Sequence, residues 1–531
     1  MKRMHAALNA HGTRWCRVNR SQVWLVKALC IAAVVLFVPQ VAWASSYVAG
    51  SLVQVSGTSP FAGSHCGLAG QRGQNFLNSE VEPFVEVSPA NGKNIIGVWQ
   101  QDRWSNGASR GNVVGASLDD GQTWKVIKQT KNSLCTGGTL ANGGGYERAT
   151  DPWLTISPNG DAYLMSLAMD QDLNDNHNPD AMLVSKSTDG GLSWSNPSTL
   201  IRDANPRRFN DKNSITADPN DSRYVYAVWD RLAKIGPVFR GPTLFTRTTN
   251  GGASWEEARD IFTPGAFAQT LGNQIALRPQ GDLINIFTLI RNVRRPGAPL
   301  FNVTVMRSED NGQTWSGPIE FERIVNPGVV RDPDDGKPLR PGDPVRTGDI
   351  IPDIAVDPKS GQLYAVWQDE RFSDGPFRGH DSIALSTSTD GGLTWSPAVK
   401  VNNTPTNIPT GNQQAFTPAV DVAQDGTVSV TYYDFRNNTP KANTLPTDYW
   451  VVHCHASKTG DCSRGSQYGA EVRLTNAPFN MERAPDAGGY FLGDYEGLAH
   501  DVAGEGTDFT PLFSRPQGMD PATIFFRRVG P

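Results

Sequence analysis

The chain has 531 residues, a formal net charge of −5, 53 Gly, 37 Pro and 14 Trp, with a mean hydropathy of −0.40. It is too long for one simple layered core, and its Gly, Pro and aromatic content suits many short strands joined by turns. The acidic balance argues against nucleic acid or an anionic membrane surface as partner.

In chain order, residues 1–27 carry Lys2, Arg3, Arg14, Arg17, Arg20 and Lys27 and no acid. The apolar run ALCIAAVVLFVPQVAWA (Ala28–Ala44) follows, ending in the small-x-small triplet Ala42-Trp43-Ala44. This pattern predicts an export signal over residues 1–44, cleaved after Ala44, with an uncleaved anchor as the alternative. The run is short for a span of about 20 residues and contains Pro39. No other stretch could span a membrane. Losing six cations and no acid takes the formal charge from −5 to −11. The expected location is secreted or periplasmic. Cys66, Cys135, Cys454 and Cys462 then remain, an even number in an exported chain, which predicts disulfides. Cys454 and Cys462 are close enough to close a small loop, leaving Cys66 with Cys135, although spacing alone proves neither pairing. No zinc pattern occurs.

An octet recurs five times: SLDDGQTW (Ser117–Trp124), STDGGLSW (Ser187–Trp194), TTNGGASW (Thr248–Trp255), SEDNGQTW (Ser308–Trp315) and STDGGLTW (Ser388–Trp395). Its physics is that of a hairpin turn. Asp or Asn accepts from backbone N–H groups ahead of it, Gly takes positive φ, and Trp opens the returning strand with a large apolar face. The octet offers no nucleophile and no poised proton donor, so it reads as structural. Before each octet lies a pair of short strands, as in FVEVSPANGKNIIGVWQQDRW (Phe84–Trp104) and DIAVDPKSGQLYAVWQDER (Asp353–Arg371). A strand pair followed by two strands joined through the octet makes a four-stranded antiparallel unit, and its repetition predicts an all-β propeller.

Five units carry an octet. A sixth starts near Phe416, with HASKTGDCSRG (His455–Gly465) as its degenerate turn. A seventh has three strands, within Tyr495–Asp501, Phe509–Arg515 and Ala522–Val529, and SLVQVSG (Ser51–Gly57) could supply the fourth. Pairing first and last segments would close the ring and remove its open edges. The expectation is therefore one propeller domain over residues 45–531 with seven blades, six being the alternative.

The octets resemble the Asp-boxes, or BNR repeats, of sialidase-like propellers, over nearly all of the chain after the signal. FLGDYEGLAHD (Phe491–Asp501), DFTPLF (Asp508–Phe513) and IFFRRV (Ile524–Val529) resemble the carboxy-terminal end of secreted bacterial proteins of this kind. The resemblance implies exo-acting, sialidase-type glycoside hydrolysis. Such enzymes bind a sugar carboxylate through three arginines, the first in Arg-Ile-Pro, and use a Tyr nucleophile with a Glu partner and an Asp acid/base. No Arg-Ile-Pro occurs in this chain.

Following strand direction places the octets on the face away from any site built by the starts of first strands and the ends of second strands. That opposite face collects Asp102, Arg103, Asp230, Arg231, Arg291, Asp369, Arg371, Asp434, Arg436 and Arg515, together with Glu80, Glu82, Glu147, Arg148, Asp151, Asp211, Lys212, Asp349, Asp353, Asp494 and Tyr495. Arg forks suit a carboxylate, and paired acids suit proton transfer. The expected substrate-binding residues are Arg103, Arg148, Arg231, Arg371 and Arg436. Asp102, Asp211 or Asp494 is expected to move the proton, and Tyr495 to attack. The competing reading is that each Asp-x-Arg pairs with a neighbouring blade and holds the ring. Asp170, Asp172 and Asn174 match the first three ligand positions of a calcium loop, but the Gly and terminal Glu are missing, so a solvated acidic loop is expected. The insertion Arg331–Asp349 overhangs the same face or is an unstructured loop. The function expected is glycoside hydrolysis on an anionic glycan by a monomer without cofactor. The alternative is a propeller that binds a polysaccharide or protein without catalysis.

Overall fold

A computed structural model describes residues 47–170, 179–235, 238–293, 299–325, 328–329, 345–373, 379–439, 444–456, 460–469, 471–502 and 506–531. The expected export signal, Asp172, Asn174 and most of the Arg331–Asp349 insertion lie outside them. The described residues are almost entirely β, with short 3-10 turns. None of their helices is long and apolar enough to cross a membrane.

The strands follow one antiparallel plan. The first unit is Glu80–Val87, Ile95–Arg103, Ser109–Ser117 and Lys125–Ile127. Four-stranded units of the same order begin at Arg148, Arg208, Ala268, Asp353 and Ala415. Leu512–Gln517 and Asp520–Phe526 form a last hairpin, and Val53–Gln54 pairs with its second strand. Gly497 exchanges backbone hydrogen bonds with Leu512 on the other side, and Val48–Ala49 pairs with Val529–Gly530. Among the described residues no hydrogen-bonded sheet closes on itself.

Successive units pack face to face, because each sheet has apolar side chains on both sides. Ile96, Val98 and Leu154 lie between the first and second units, and Met165, Leu167 and Trp229 between the second and third. Tyr433, Tyr449, Phe513 and Phe525 join the sixth to the last hairpin. Val85, Trp99, Leu512 and Phe526 join that hairpin to the first unit. Second strands are therefore enclosed on both faces, and every residue of Ile95–Arg103 is buried.

Each octet is the turn between the third and fourth strands of its unit. In Ser187–Trp194 the Asp189 carboxylate accepts from the Ser193 N–H at 2.9 Å and from the Ser187 hydroxyl at 2.8 Å. The Gly191 N–H donates to Ser187 Oγ at 3.0 Å, and the Trp194 indole donates to the Gly191 carbonyl at 3.1 Å. The same bonds recur around Asp119 and Asp390. A side chain of one unit also holds the octet of the next. Asn94 donates to the Gly190 carbonyl at 3.1 Å, and Lys186 to the Gly251 carbonyl at 2.8 Å. Both disulfides form, Cys66–Cys135 with Cα atoms 5.3 Å apart and Cys454–Cys462 at 5.9 Å. The second braces the connection between third and fourth strands of the sixth unit, where the octet is missing.

Candidate active site

The starts of the first strands share a device that aims side chains inward. A bulge shifts the register between Val81 and Phe84, Thr150 and Trp153, Asp211 and Ser214, Leu271 and Gln274, and Phe416 and Ala419. At each bulge one residue takes positive φ: Glu82 (52°), Asp151 (45°), Lys212 (43°), Gly272 (69°) and Thr417 (48°). Pro or Asn follows in every case: Pro83, Pro152, Asn213, Asn273 and Pro418. A bulge leaves one residue out of the ladder, so Pro, which has no N–H to donate, is tolerated there. Non-Gly residues at positive φ store strain, which concentrates at functional sites.

Three of the five bulged residues carry charge, and they meet. The Lys212 ammonium lies 2.6 Å from Asp494 Oδ2, 3.4 Å from Glu82 Oε1 and 3.4 Å from Asp151 Oδ1. Asp494 also pairs with Arg346 at 3.0 Å. Arg346 arrives on Val345–Arg346, which pairs in parallel with Tyr490–Phe491, and its guanidinium lies 4.3 Å over the Phe491 ring. Arg103 lies over the same ring at 5.0 Å. Gly348 is required where the segment crosses Asp494, because a Cβ there would stand 1.8 Å from the Asp494 carbonyl oxygen.

Electrostatics divide these acids into two states. Burial pushes Glu82 up to about 8, against the pull of Lys212. Burial, then Asp151, pushes Asp211 up to about 7. Burial is the largest influence on Asp494 and Asp151 and opposes their charge, but Lys212 together with Arg103, and with Arg346 at Asp494 and the Glu82 hydrogen bond at Asp151, outweighs it and holds both below the usual carboxylate range. At neutral pH the cluster therefore presents a protonated carboxyl beside ionised ones, the division of labour that acid–base catalysis needs.

Two cavities adjoin the cluster. One of about 460 Å³ is walled by Lys212, Arg346, Gly348, Asp349 and Asp494. The other, about 810 Å³, runs along the first strands and is lined from every unit, including Phe84, Trp153, Ser214, Gln274, Asp353, Val420 and Leu498. Asp494 borders both.

Of the residues singled out from sequence, Asp494 and Asp211 belong to the cluster and Arg103 stands beside it. The others are engaged elsewhere. Tyr495 is buried and its hydroxyl donates to the Pro152 carbonyl at 2.8 Å, so it braces the second bulge instead of standing free to attack. Asp102 pairs with Arg110 at 3.2 Å and accepts from Ser59 at 2.7 Å. Arg148 donates to Gln71, Asn106 and backbone carbonyls. Arg231 bridges to Asp203 of the preceding unit at 2.7 Å, and Arg371 to Glu322 of its preceding unit at 2.7 Å. Arg436 is held by Asp434 and Glu471. These arginines do not converge as an anion clamp, because each has a nearer carboxylate or carbonyl partner. Asp170 accepts the Glu147 N–H at 3.1 Å. Among the described residues no group of His, Cys, Asp and Glu forms a metal site.

Glu82, Asp151 and Lys212 were visible only as members of a charged face. The acid-Pro pairs before Phe84 and Trp153, and Lys-Asn at the matching place, are a repeat that marks them. Arg346 has no such signal, because it comes from an insertion.

No protein family matches the chain, and no curated protein matches it. Among solved structures it is similar to an α-L-arabinanase of Penicillium chrysogenum, at 14% identity, TM-score 0.44, covering 72% of this chain and 94% of that one. A Dyadobacter fermentans protein of unknown function gives 11% identity, TM-score 0.44, and coverage of 92% and 99%. A Hadza microbial sialidase gives 14% identity, TM-score 0.43, and coverage of 85% and 90%. With these three scores below 0.5, site and chemistry rest on this chain's own residues.

Proposed function

We propose that the chain is an exported glycoside hydrolase on a closed propeller of seven blades, with its active site at the Lys212 cluster. The ring rests on the strand Val53–Gln54 completing the last unit and on the apolar contacts joining that unit to the first. The activity rests on one observation: carboxyls in opposite protonation states gathered round a single ammonium, of which Lys212 and Asp494 line the cavity. Glu82 would donate a proton to the leaving oxygen. Asp494 or Asp151 would attack the anomeric carbon or activate water. A cavity of about 460 Å³ sits at the low end of the range for small-ligand sites, which suits a terminal sugar and hence exo action. Arg346, which pairs with Asp494 at 3.0 Å but keeps 34% of its side chain exposed, would turn its free edge to an acidic substituent on that sugar. A non-catalytic glycan-binding propeller is the second reading, favoured by Arg231 and Arg371 serving as ties between units.

A panel of aryl glycosides, including a sialoside, tests both readings. The first expects turnover of at least one, falling at least about 100-fold in Glu82→Gln and Asp494→Asn at unchanged folding. Glycan binding with no turnover of any substrate would establish the second and remove the first.

A further inference from the structure

The octet-side half of the large cavity holds a group of side chains that the proposed chemistry does not use. Going along the first strands from the Lys212 cluster, the walls become small on one side: Thr155, Thr216, Ala276 and Ala355. On the other side stand Glu86, Asp421 and His500, from the first, sixth and last units. Asp421 Oδ2 and His500 Nδ1 are 2.9 Å apart, and Gln424 reaches the other ring nitrogen at 3.5 Å. Glu86 makes no hydrogen bond with any described residue. It is half-buried and forms part of the cavity wall. Exposed Pro89, Pro219 and Lys359 also line the cavity, so this half opens to solvent at the octet face.

We propose that this half of the cavity binds an aliphatic primary amine, its ammonium between Glu86 and Asp421 and its chain against the small apolar wall. A half-buried carboxyl on a cavity wall has no protein partner for its oxygens, and a fitted cation supplies opposite charge and hydrogen bonds. The carboxyl count also fits: Glu86, Asp421 and Asp501 act on one His500, and Asp353 lies near Asp421. A metal ion fits less well, since no three such groups converge on one point among the described residues. Lys359 on the lining disfavours a second positive charge, so a monoamine is the better match. Leu498, Ala217 and Ala276 offer apolar contact to an alkyl stem.

The proposal has a signature that incidental binding lacks. Glu86 is pushed up to about 8, by burial first and then by Asp421, with His500 acting the other way. At pH 7 it holds its proton, and the ammonium displaces it. Binding should therefore release close to one proton per amine. Calorimetric titration with n-pentylamine at pH 7, in two buffers of different ionisation enthalpy, reads this directly. We expect saturable binding with proton release, and none for 1-pentanol, which has the same shape without the charge. Glu86→Gln should weaken amine binding at least 10-fold with no loss of melting temperature, because it replaces an unpartnered acid by a neutral amide. Glu82→Gln, on the opposite half, should leave amine binding unchanged whether or not the glycosidase reading holds. Equal binding of amine and alcohol, or undiminished binding to the Glu86→Gln protein, overturns the proposal.

Discussion

At Tyr495 a single hydroxyl separates two roles. Donation to the Pro152 carbonyl at 2.8 Å makes it a brace. The buried ring lies 5.0 Å from Trp153, so its packing survives removal of the oxygen. Burial and the surrounding acids also push the phenol upward, away from the anion a nucleophile must become. We predict that Tyr495→Phe lowers unfolding free energy by about 1–2 kcal/mol, the worth of a buried hydrogen bond, while turnover changes less than about tenfold. Chemical denaturation and initial rates measure the two effects. A loss of several orders of magnitude in rate, with stability intact, would restore Tyr495 as the attacking group.

The repeating element is a strand with a special feature at each end of the unit. At one end the bulge turns Glu82, Asp151 and Lys212 toward one another; at the other the octet locks a turn. Function and rigidity are thus separated by the length of a strand, which is how propellers carry chemistry on loops and strand ends over a stiff frame. This separation is testable at Asp390, which accepts from the Thr394 N–H at 2.9 Å, the Thr394 hydroxyl at 2.6 Å and the Ser388 hydroxyl at 2.9 Å. Replacing it by Ala leaves those donors to water and loosens the turn. We expect Asp390→Ala to cost about 1–2 kcal/mol in denaturant unfolding, by analogy with capping residues. The kcat/KM on any substrate found should stay unchanged, and a selective loss of activity would place the octets near the site.

For the whole molecule the notable property is the number of acids buried along the central cavity and the unit starts. Glu82 and Glu86 are pushed up to about 8, Asp180, Asp211 and Asp353 to about 7, and Asp349 to about 6, in each case chiefly by burial. Each binds its proton more tightly folded than unfolded. Its contribution to stability is therefore full below the ordinary carboxylate range near 4 and is lost as pH rises to the folded value of about 6–8. Asp494 and Asp151 are depressed and act oppositely, but only as pH falls below about 4. The melting temperature should peak at about pH 5 and decline steadily to about pH 8.5. Scanning calorimetry across that range decides it, and a flat or rising profile would mean that these carboxyls are solvated in the folded chain.

The sequence by itself determined the repeating unit. Five octets carry their turn chemistry within eight residues, so Asp or Asn, Gly and Trp at set spacing were enough to place strand ends and strand order. Counting the cysteines left after an expected export signal predicted disulfides, and the packing decided the pairs Cys66–Cys135 and Cys454–Cys462. Charge at the ends of first and second strands was equally visible, but not which charges meet. For Arg231, Arg371 and Arg436 a ligand and a structural partner were both open readings, because Asp203, Glu322 and Glu471 lie 28, 49 and 35 residues away. Lys212 joins Glu82, Asp151 and Asp494, and the last of these is 282 residues from it. Arg346 enters only through a pairing with Tyr490–Phe491. Those meetings depend on packing one unit against the next and on bulges that turn single residues inward. Long-range geometry of that kind decided the candidate site, where local spacing had decided only the scaffold.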